Sequence, residues 1–242
     1  AKNDYYGSLL WEGRSPFFFF FEEKFKKLFL KNHSYNFFDI SEIENVTPFL
    51  ENPNLIGMNV TIPYKEAIIP FLDGLSDEAQ QIGAVNCVSF KNGKKIGYNT
   101  DAFGFEKTLL INKKDHHKKA LILGDGGAAK AVRYILEKHN IEHQTVSRKS
   151  EITFENLSED LVKDSLLIIQ TTPVGTFPNV DDSVQFPFEA ITNQHYVIDL
   201  IYNPSETAFL KKSAEKGATT LNGFYMLEQQ AERAWEIWKG SN

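Results

Sequence analysis

Cysteine is nearly absent from this 242-residue chain: Cys87 stands alone, so no internal disulfide framework is available. A lone cysteine fits a reducing compartment. Basic charge is also scarce, with 26 Lys and Arg against 32 Asp and Glu and a net charge of −6. A protein that tracks phosphates along a strand carries a basic excess or basic clusters, so no nucleic-acid partner is expected. No apolar run reaches membrane-spanning length, and no membrane partner is expected. The run Phe17 to Phe21 has no basic stretch before it and leads into Glu22-Glu23-Lys24, unlike a secretory signal. These absences read as a mature cytoplasmic protein, expected as a monomer or homodimer. No His or Cys spacing matches a zinc site, and His116-His117 lies in a charged stretch, so no metal is expected. What is present is length for one large domain or two small ones, with 42% hydrophobic residues to build a core.

The most informative stretch is Ala120-Leu-Ile-Leu-Gly-Asp-Gly-Gly-Ala-Ala-Lys-Ala-Val132. Its apolar start has strand length and breaks at Gly124, and helical spacing follows from Ala128 to Lys138. A strand turning sharply into a helix leaves backbone N–H groups unpaired at the positive end of the helix dipole, which favours an anion such as a phosphate. Glycine suits the turn because a Cβ would block both the tight backbone and the approach of a pyrophosphate.

Before this stretch, strands are predicted at 35–40, 55–62, 84–90 and 94–98, the last two joined by the two-residue turn Asn92-Gly93. The stretch from Gly7 to Gly13 makes a poor strand. Short helices are predicted near 46–50, 64–72 and 78–82, and Thr100 is the expected N-cap of a helix over 101–111. The polar run from Asn112 to Lys119 marks a change of rhythm and places a domain boundary close to it. Beyond it, strands at 119–123, 142–147, 165–170, 195–201 and 218–221 alternate with helices at 127–139, 155–163 and 205–216. That alternation predicts a parallel sheet with helices on both faces. A last helix, 224–239, carries Phe224, Leu227, Ala231, Trp235 and Trp238 as its apolar stripe.

Several residues have the chemistry for a reaction. Ser147, Arg148 and Lys149 follow the second strand of the βαβ unit, where a site for a cofactor without a 2′-phosphate usually places an acid. A guanidinium on a 2′-phosphate makes charge-assisted bonds, implying about tenfold to a hundredfold preference for NADP over NAD. Thr171, Thr172 and Tyr202 follow later strands, where loops form the ligand crevice, and are expected as neighbours of cofactor or substrate. In the first half, Asn59 and Thr61 lie on one side of a strand, and Lys65 opens the next predicted helix, where its charge gains nothing from the dipole. Asp101 sits at a helix start that favours its ionised form. If Lys65 and Asp101 meet, the pair can pass one proton to and from a substrate hydroxyl. Asn86 offers a neutral donor and acceptor for holding a hydroxyl. Cys87, in an apolar strand, is expected to be packed rather than reactive.

Read together and in order, Asn59-Val-Thr-Ile-Pro-Tyr-Lys65, Gly83-Ala-Val-Asn86, Gly97-Tyr-Asn-Thr-Asp101, Gly124-Asp-Gly-Gly-Ala128, Ser147-Arg148, Thr171-Thr-Pro173, Asp199-Leu-Ile-Tyr-Asn-Pro204 and Asn222-Gly-Phe-Tyr-Met-Leu-Glu-Gln-Gln230 resemble shikimate dehydrogenase. The resemblance runs from about residue 55 to the end. It implies an α/β fold with an N-terminal α/β substrate domain, residues 1–103 with the 223–242 helix packing back on it, and a Rossmann-like NADP-binding domain, residues 104–222. It implies an active site in the cleft between them and NADPH-dependent, reversible reduction of 3-dehydroshikimate to shikimate. Carried onto matching positions, Lys65 and Asp101 become the catalytic pair, and Thr61, Asn86, Tyr202 and Gln230 become substrate contacts. Gly124, Gly126, Gly127, Ala128 and Arg148 become cofactor contacts. The family's His-Ser-x-Ser motif, whose hydroxyls bind the substrate carboxylate, falls on Arg14-Ser15-Pro16-Phe17. Only Ser15 matches. Either Arg14 pairs with the carboxylate instead, or substrate binding is weakened or redirected, or this stretch is altered. A quinate-type substrate range and an NADP-binding protein with impaired catalysis are the competing readings.

Overall fold

In the computed structural model, which describes residues 2–10 and 15–240, the chain falls into two units, 1–103 with 228–242, and 104–227. The first contains β1 (Asp4–Leu10), α1 (Phe17–Lys27), β2 (His33–Asp39), α2 (Thr47–Leu50), β3 (Leu55–Val60), β4 (Gly74–Leu75), α3 (Asp77–Ile82), β5 (Cys87–Lys91), β6 (Lys94–Tyr98) and the start of α4 (Thr100–Asn112). Its strand order is β2-β1-β3-β5-β6-β4. The first three strands are parallel; β5 runs antiparallel to β3 and β6. Asn92 and Gly93 both take positive φ, 52° and 73°, which gives the β5–β6 hairpin its tight turn.

Three expectations for this unit need correction. The segment at Gly7 forms β1, inside the sheet between β2 and β3. Tyr6 to Leu10 are all buried, so this strand shows no alternation in sequence. Gly7 is required there, because a Cβ would stand 2.6 Å from the Phe38 ring. The predicted helix at 64–72 is instead a series of turns and a 3-10 segment, Ile69–Phe71. Pro70 has no N–H to donate and its ring conflicts with the carbonyl four residues before it, so a helix begun at Tyr64 cannot continue through it. The N-cap of α4 is Asn99, whose Oδ1 accepts from the Ala102 N–H at 3.1 Å, while the Thr100 side chain turns to Asn86.

The phenylalanine run folds as α1, with Phe17, Phe21 and Phe25 buried one turn apart. Phe21 stacks on Tyr35 with ring centroids 4.9 Å apart and lies 5.1 Å from Trp238. Trp238 belongs to the last helix of the chain, Phe224–Lys239, and its indole N–H donates to the Val88 carbonyl at 3.1 Å. A Cβ on Gly57 would strike the same indole. The buried stripe of this helix is Met226, Gln230, Ala231, Ala234, Ile237 and Trp238. Phe224 is exposed and Trp235 half-buried, so the helix is rotated from the expected stripe.

The second unit contains β7 (Lys119–Leu123), α5 (Gly127–Lys138), β8 (Glu142–Val146), α6 (Glu159–Asp164), β9 (Leu167–Gln170), β10 (Tyr196–Asp199), α7 (Ala208–Glu215) and β11 (Thr219–Leu221), after which the last helix is α8 (Phe224–Lys239). All strand pairings in the unit are parallel, in the order β11-β10-β9-β7-β8. Strands β7, β9 and β10 are almost wholly buried, which explains their uninterrupted apolar runs. Ser158 and Thr207 cap α6 and α7, each accepting a backbone N–H at 3.2 Å. The chain passes from β7 to β8 on one side and to β9 on the other. The switch point therefore lies between β7 and β9, beside Gly124 and Thr171. Among the described residues, no helix is long and apolar enough to cross a membrane. This two-sheet α/β architecture agrees with the expected fold class.

Candidate active site

Lys65 and Asp101, 36 positions apart in sequence, meet with Lys65 Nζ 2.6 Å from Asp101 Oδ2. Both side chains are largely buried. Backbone bonds deliver the lysine: Tyr64 N–H donates to the Thr61 carbonyl at 2.9 Å, and the Lys65 carbonyl accepts from Val85 N–H at 2.7 Å. The Tyr64 hydroxyl donates to the Ile40 carbonyl and anchors the turn. Asp101 lies in the first turn of α4, where the helix dipole favours a carboxylate. Lys65 reaches it from a turn rather than from a helix start, so the dipole argument for the lysine does not apply.

Asn86 is spent on the neighbouring residue. Its Oδ1 accepts from Thr100 N–H at 2.6 Å and its Nδ2 donates to Thr100 Oγ1 at 2.9 Å. These bonds fix the start of α4 and with it Asp101. Thr61 donates its hydroxyl to the Leu9 carbonyl at 3.0 Å. Helix α8 passes Phe103 through Arg233, 5.8 Å from the ring, and ends near Lys91. It therefore runs antiparallel to β3, which places the buried Gln230 toward the strand's C-terminal end, the end that leads to Thr61.

Ser15 begins a buried row of hydroxyls that the sequence did not reveal. Ser15 Oγ contacts Ser8 Oγ, Ser8 Oγ lies 2.6 Å from the Tyr35 hydroxyl, and that hydroxyl donates to Asn59 Oδ1 at 2.6 Å. Phe17 N–H donates to Ser15 Oγ at 3.2 Å. Because Asn59 Oδ1 only accepts, every hydrogen in the row points toward it. Burial raises the Tyr35 pKa, so the phenol stays protonated as the row requires. Phe17, where the resemblance places a second hydroxyl, is a buried helix residue. Arg14, the suggested substitute, lies outside the described residues. Cys87 is buried, and burial pushes its thiol up to about 12, which leaves it unreactive.

In the second unit, Gly124 takes φ +109°, and a Cβ there would stand 2.5 Å from Thr171 Oγ1. A Cβ on Gly126 would meet nothing within 4 Å, so the turn has open space in front of it. Gly127 and Ala128 open α5, whose first N–H groups have no helical partner. This is a cradle of the kind a pyrophosphate needs. Thr171 donates its hydroxyl to the Leu123 carbonyl at 2.8 Å and ties the loop after β9 to the glycine turn. Ser147 Oγ accepts from the N–H groups of Lys149 and Ser150 at 3.2 and 3.1 Å, shaping the turn that presents Arg148 and Lys149 to solvent. Tyr202 is partly exposed in the loop after β10.

Two further features of this unit escaped sequence reading. Asp199, at the end of β10, accepts from Thr207 Oγ1 at 2.7 Å, Ile201 N–H at 3.1 Å and Gln170 Nε2 at 3.4 Å. Burial outweighs these bonds and raises its carboxyl to about 6. Gln170 also accepts from Thr172 N–H at 2.6 Å, so this buried pair joins the loops after β9 and β10. Arg133 on α5 reaches back to Asp125 in the glycine turn, with Nη1 3.0 Å from Oδ1.

Known proteins resemble this chain in sequence and fold. A sequence model of the shikimate dehydrogenase substrate binding domain matches residues 9–88. A shikimate dehydrogenase (NADP(+)) of Desulforamulus reducens is 37% identical over 210 residues, covering 77% of this chain and 72% of that protein. A crystal structure of a shikimate dehydrogenase in complex with NADP+ aligns with TM-score 0.86 and 32% identity, covering 99% of this chain and 91% of the other. The Thermus thermophilus shikimate 5-dehydrogenase, in complex with NADP(H) and shikimate, aligns with TM-score 0.84 and 28% identity over 98% and 94% of the two chains.

Proposed function

The chain belongs to the shikimate dehydrogenase family, and from that premise we propose that Lys65 and Asp101 are the proton-transfer pair of its reaction. It is an NADP-dependent oxidoreductase acting on a CH–OH group, reversibly reducing 3-dehydroshikimate to shikimate in aromatic amino-acid and chorismate biosynthesis. The observation that carries the proposal is the 2.6 Å contact between Lys65 Nζ and Asp101 Oδ2.

The nicotinamide supplies the hydride in reduction and takes it in oxidation. Lys65 donates a proton to the oxygen at C3 as that oxygen gains negative charge; in oxidation it withdraws the proton from the hydroxyl. Asp101 keeps the ammonium aimed and balances its charge. Thr61, Asn86, Gln230, Ser15 and Tyr202 are proposed to hold the substrate. Gly124, Gly126, Gly127, Ala128 and Thr171 are proposed to shape the pyrophosphate cradle, with Ser147, Arg148 and Lys149 facing the 2′-phosphate. The division into a substrate domain and a cofactor domain, 1–103 with 223–242 and 104–222, rests on the same assignment. We place the protein in the cytoplasm without a nucleic-acid partner, supported by the lone buried cysteine and the net charge of −6, and propose a monomer or homodimer.

Shikimate oxidation with NADP⁺, followed at the nicotinamide absorbance beside a quinate control, tests this assignment. Turnover of shikimate well above quinate is expected. No turnover with either, despite cofactor binding, would reject it.

A further inference from the structure

The glycine turn carries a residue that works against an anion site. Asp125 stands between Gly124 and Gly126, in the turn that the cofactor assignment makes the phosphate cradle, and its carboxylate is half-exposed. Left alone, that charge repels the pyrophosphate that every dinucleotide carries. Arg133 answers it. Its Nη1 lies 3.0 Å from Asp125 Oδ1 and 3.3 Å from Thr145 Oγ1. That one nitrogen therefore bridges the turn after β7 and the end of β8. Thr145 is the next-to-last residue of β8 and stands two positions before Ser147, where the turn to Arg148 and Lys149 begins. Arg133 thus lies at the end of β8, from which the segment Ser147-Arg148-Lys149 departs. A guanidinium has five N–H donors in a planar fork, and the two contacts leave others free for a further acceptor.

We propose that Arg133 is a specificity-determining residue of the NADP site, acting in two ways. It neutralises Asp125 within the cradle, and it offers its remaining donors to the 2′-phosphate alongside Arg148. The inference rests on the assignment of this turn as the NADP cradle. The two actions separate by ligand. Neutralising Asp125 helps every dinucleotide, whereas a bond to the 2′-phosphate helps only ligands that carry one.

Calorimetric titration of the full-length protein with NADP⁺, NAD⁺, 2′,5′-ADP and 5′-AMP tests it. Arg133→Leu is expected to weaken NADP⁺ and 2′,5′-ADP by tenfold or more beyond its effect on NAD⁺ and 5′-AMP. Adding Asp125→Asn to that variant is expected to restore NAD⁺ affinity while leaving the NADP⁺ to NAD⁺ ratio depressed. Arg133→Lys keeps the charge and loses the fork, so it is expected to lower the ratio while leaving NAD⁺ near wild type, even if the leucine variant folds poorly. Equal losses for ligands with and without the 2′-phosphate, or no loss for either, would overturn the proposal. Wild-type protein that binds neither NADP⁺ nor 2′,5′-ADP would remove the cofactor assignment itself, and the proposal with it. Loss of selectivity in Arg148→Ala alone would leave the assignment standing and sink only the role of Arg133.

Discussion

Replacing Asp199 with asparagine should change how stability depends on pH. Burial moves this carboxyl from 3.8 to about 6, against the bonds it accepts from Thr207, Ile201 and Gln170. A raised acid favours its protonated form in the fold. Its stabilising contribution is therefore complete below pH 3.8 and is lost as pH rises through 6. The displacement of roughly two units is worth about 3 kcal/mol at about 1.36 kcal/mol per unit. The asparagine stays neutral at every pH and keeps an Oδ1 for Ile201 and Gln170, while its Nδ2 can donate to the Thr207 hydroxyl, which rotates to accept. Urea unfolding followed by circular dichroism from pH 4 to 8 measures the effect. Near pH 4 the two proteins should agree closely; at pH 7.5 Asp199→Asn should be the more stable, by up to about 3 kcal/mol. Taking the difference cancels the other titrating groups. Parallel stability curves across this range would refute the reasoning.

Three other substitutions address the proposed cofactor site and the buried row of polar groups at Tyr35. Arg148→Ala should raise the Michaelis constant for NADPH by about tenfold or more and leave that for NADH unchanged, as expected for loss of one charge-assisted phosphate contact; equal effects on both would remove the phosphate assignment. Gly124→Ala forces a side chain into φ +109° and against Thr171 Oγ1; it should cost roughly 1–3 kcal/mol in strain and weaken NADP⁺ binding measured by calorimetry. Tyr35→Phe removes the donor to Asn59 Oδ1 while keeping the stack on Phe21. It should lower the unfolding free energy by about 1–3 kcal/mol in a urea titration, because the amide oxygen is left buried and unpaired.

The parts legible in the sequence were those written in short stretches. The β/α alternation after residue 119 announced a parallel sheet, and Asn92-Gly93 announced its hairpin because both residues tolerate positive φ. The glycine turn and the Lys65 and Asp101 motifs pointed to chemistry before any geometry was available. What stayed hidden depended on distant partners or on missing contrast. In α1 the first five positions are all phenylalanine, so no periodicity distinguishes the buried face of Phe17 and Phe21. In β1, burial on both faces erased the alternation that marks a strand. The row from Ser15 through Ser8 and Tyr35 to Asn59 joins four separate stretches of sequence, and nothing local predicts that their polar atoms meet. Asn99 rather than Thr100 caps α4, a choice the sequence leaves open because both are good caps. Only the contact with Asn86 shows which of them is otherwise engaged.

Single-turnover kinetics of Lys65→Ala, with both ligands saturating and their binding confirmed by calorimetry, put the proton-transfer pair to the test. Removing the group that moves the proton should slow the chemical step by about a hundredfold to ten-thousandfold while NADP⁺ affinity is kept. A variant that binds both ligands and turns over at the wild-type rate would show that the ammonium beside Asp101 does not carry the proton.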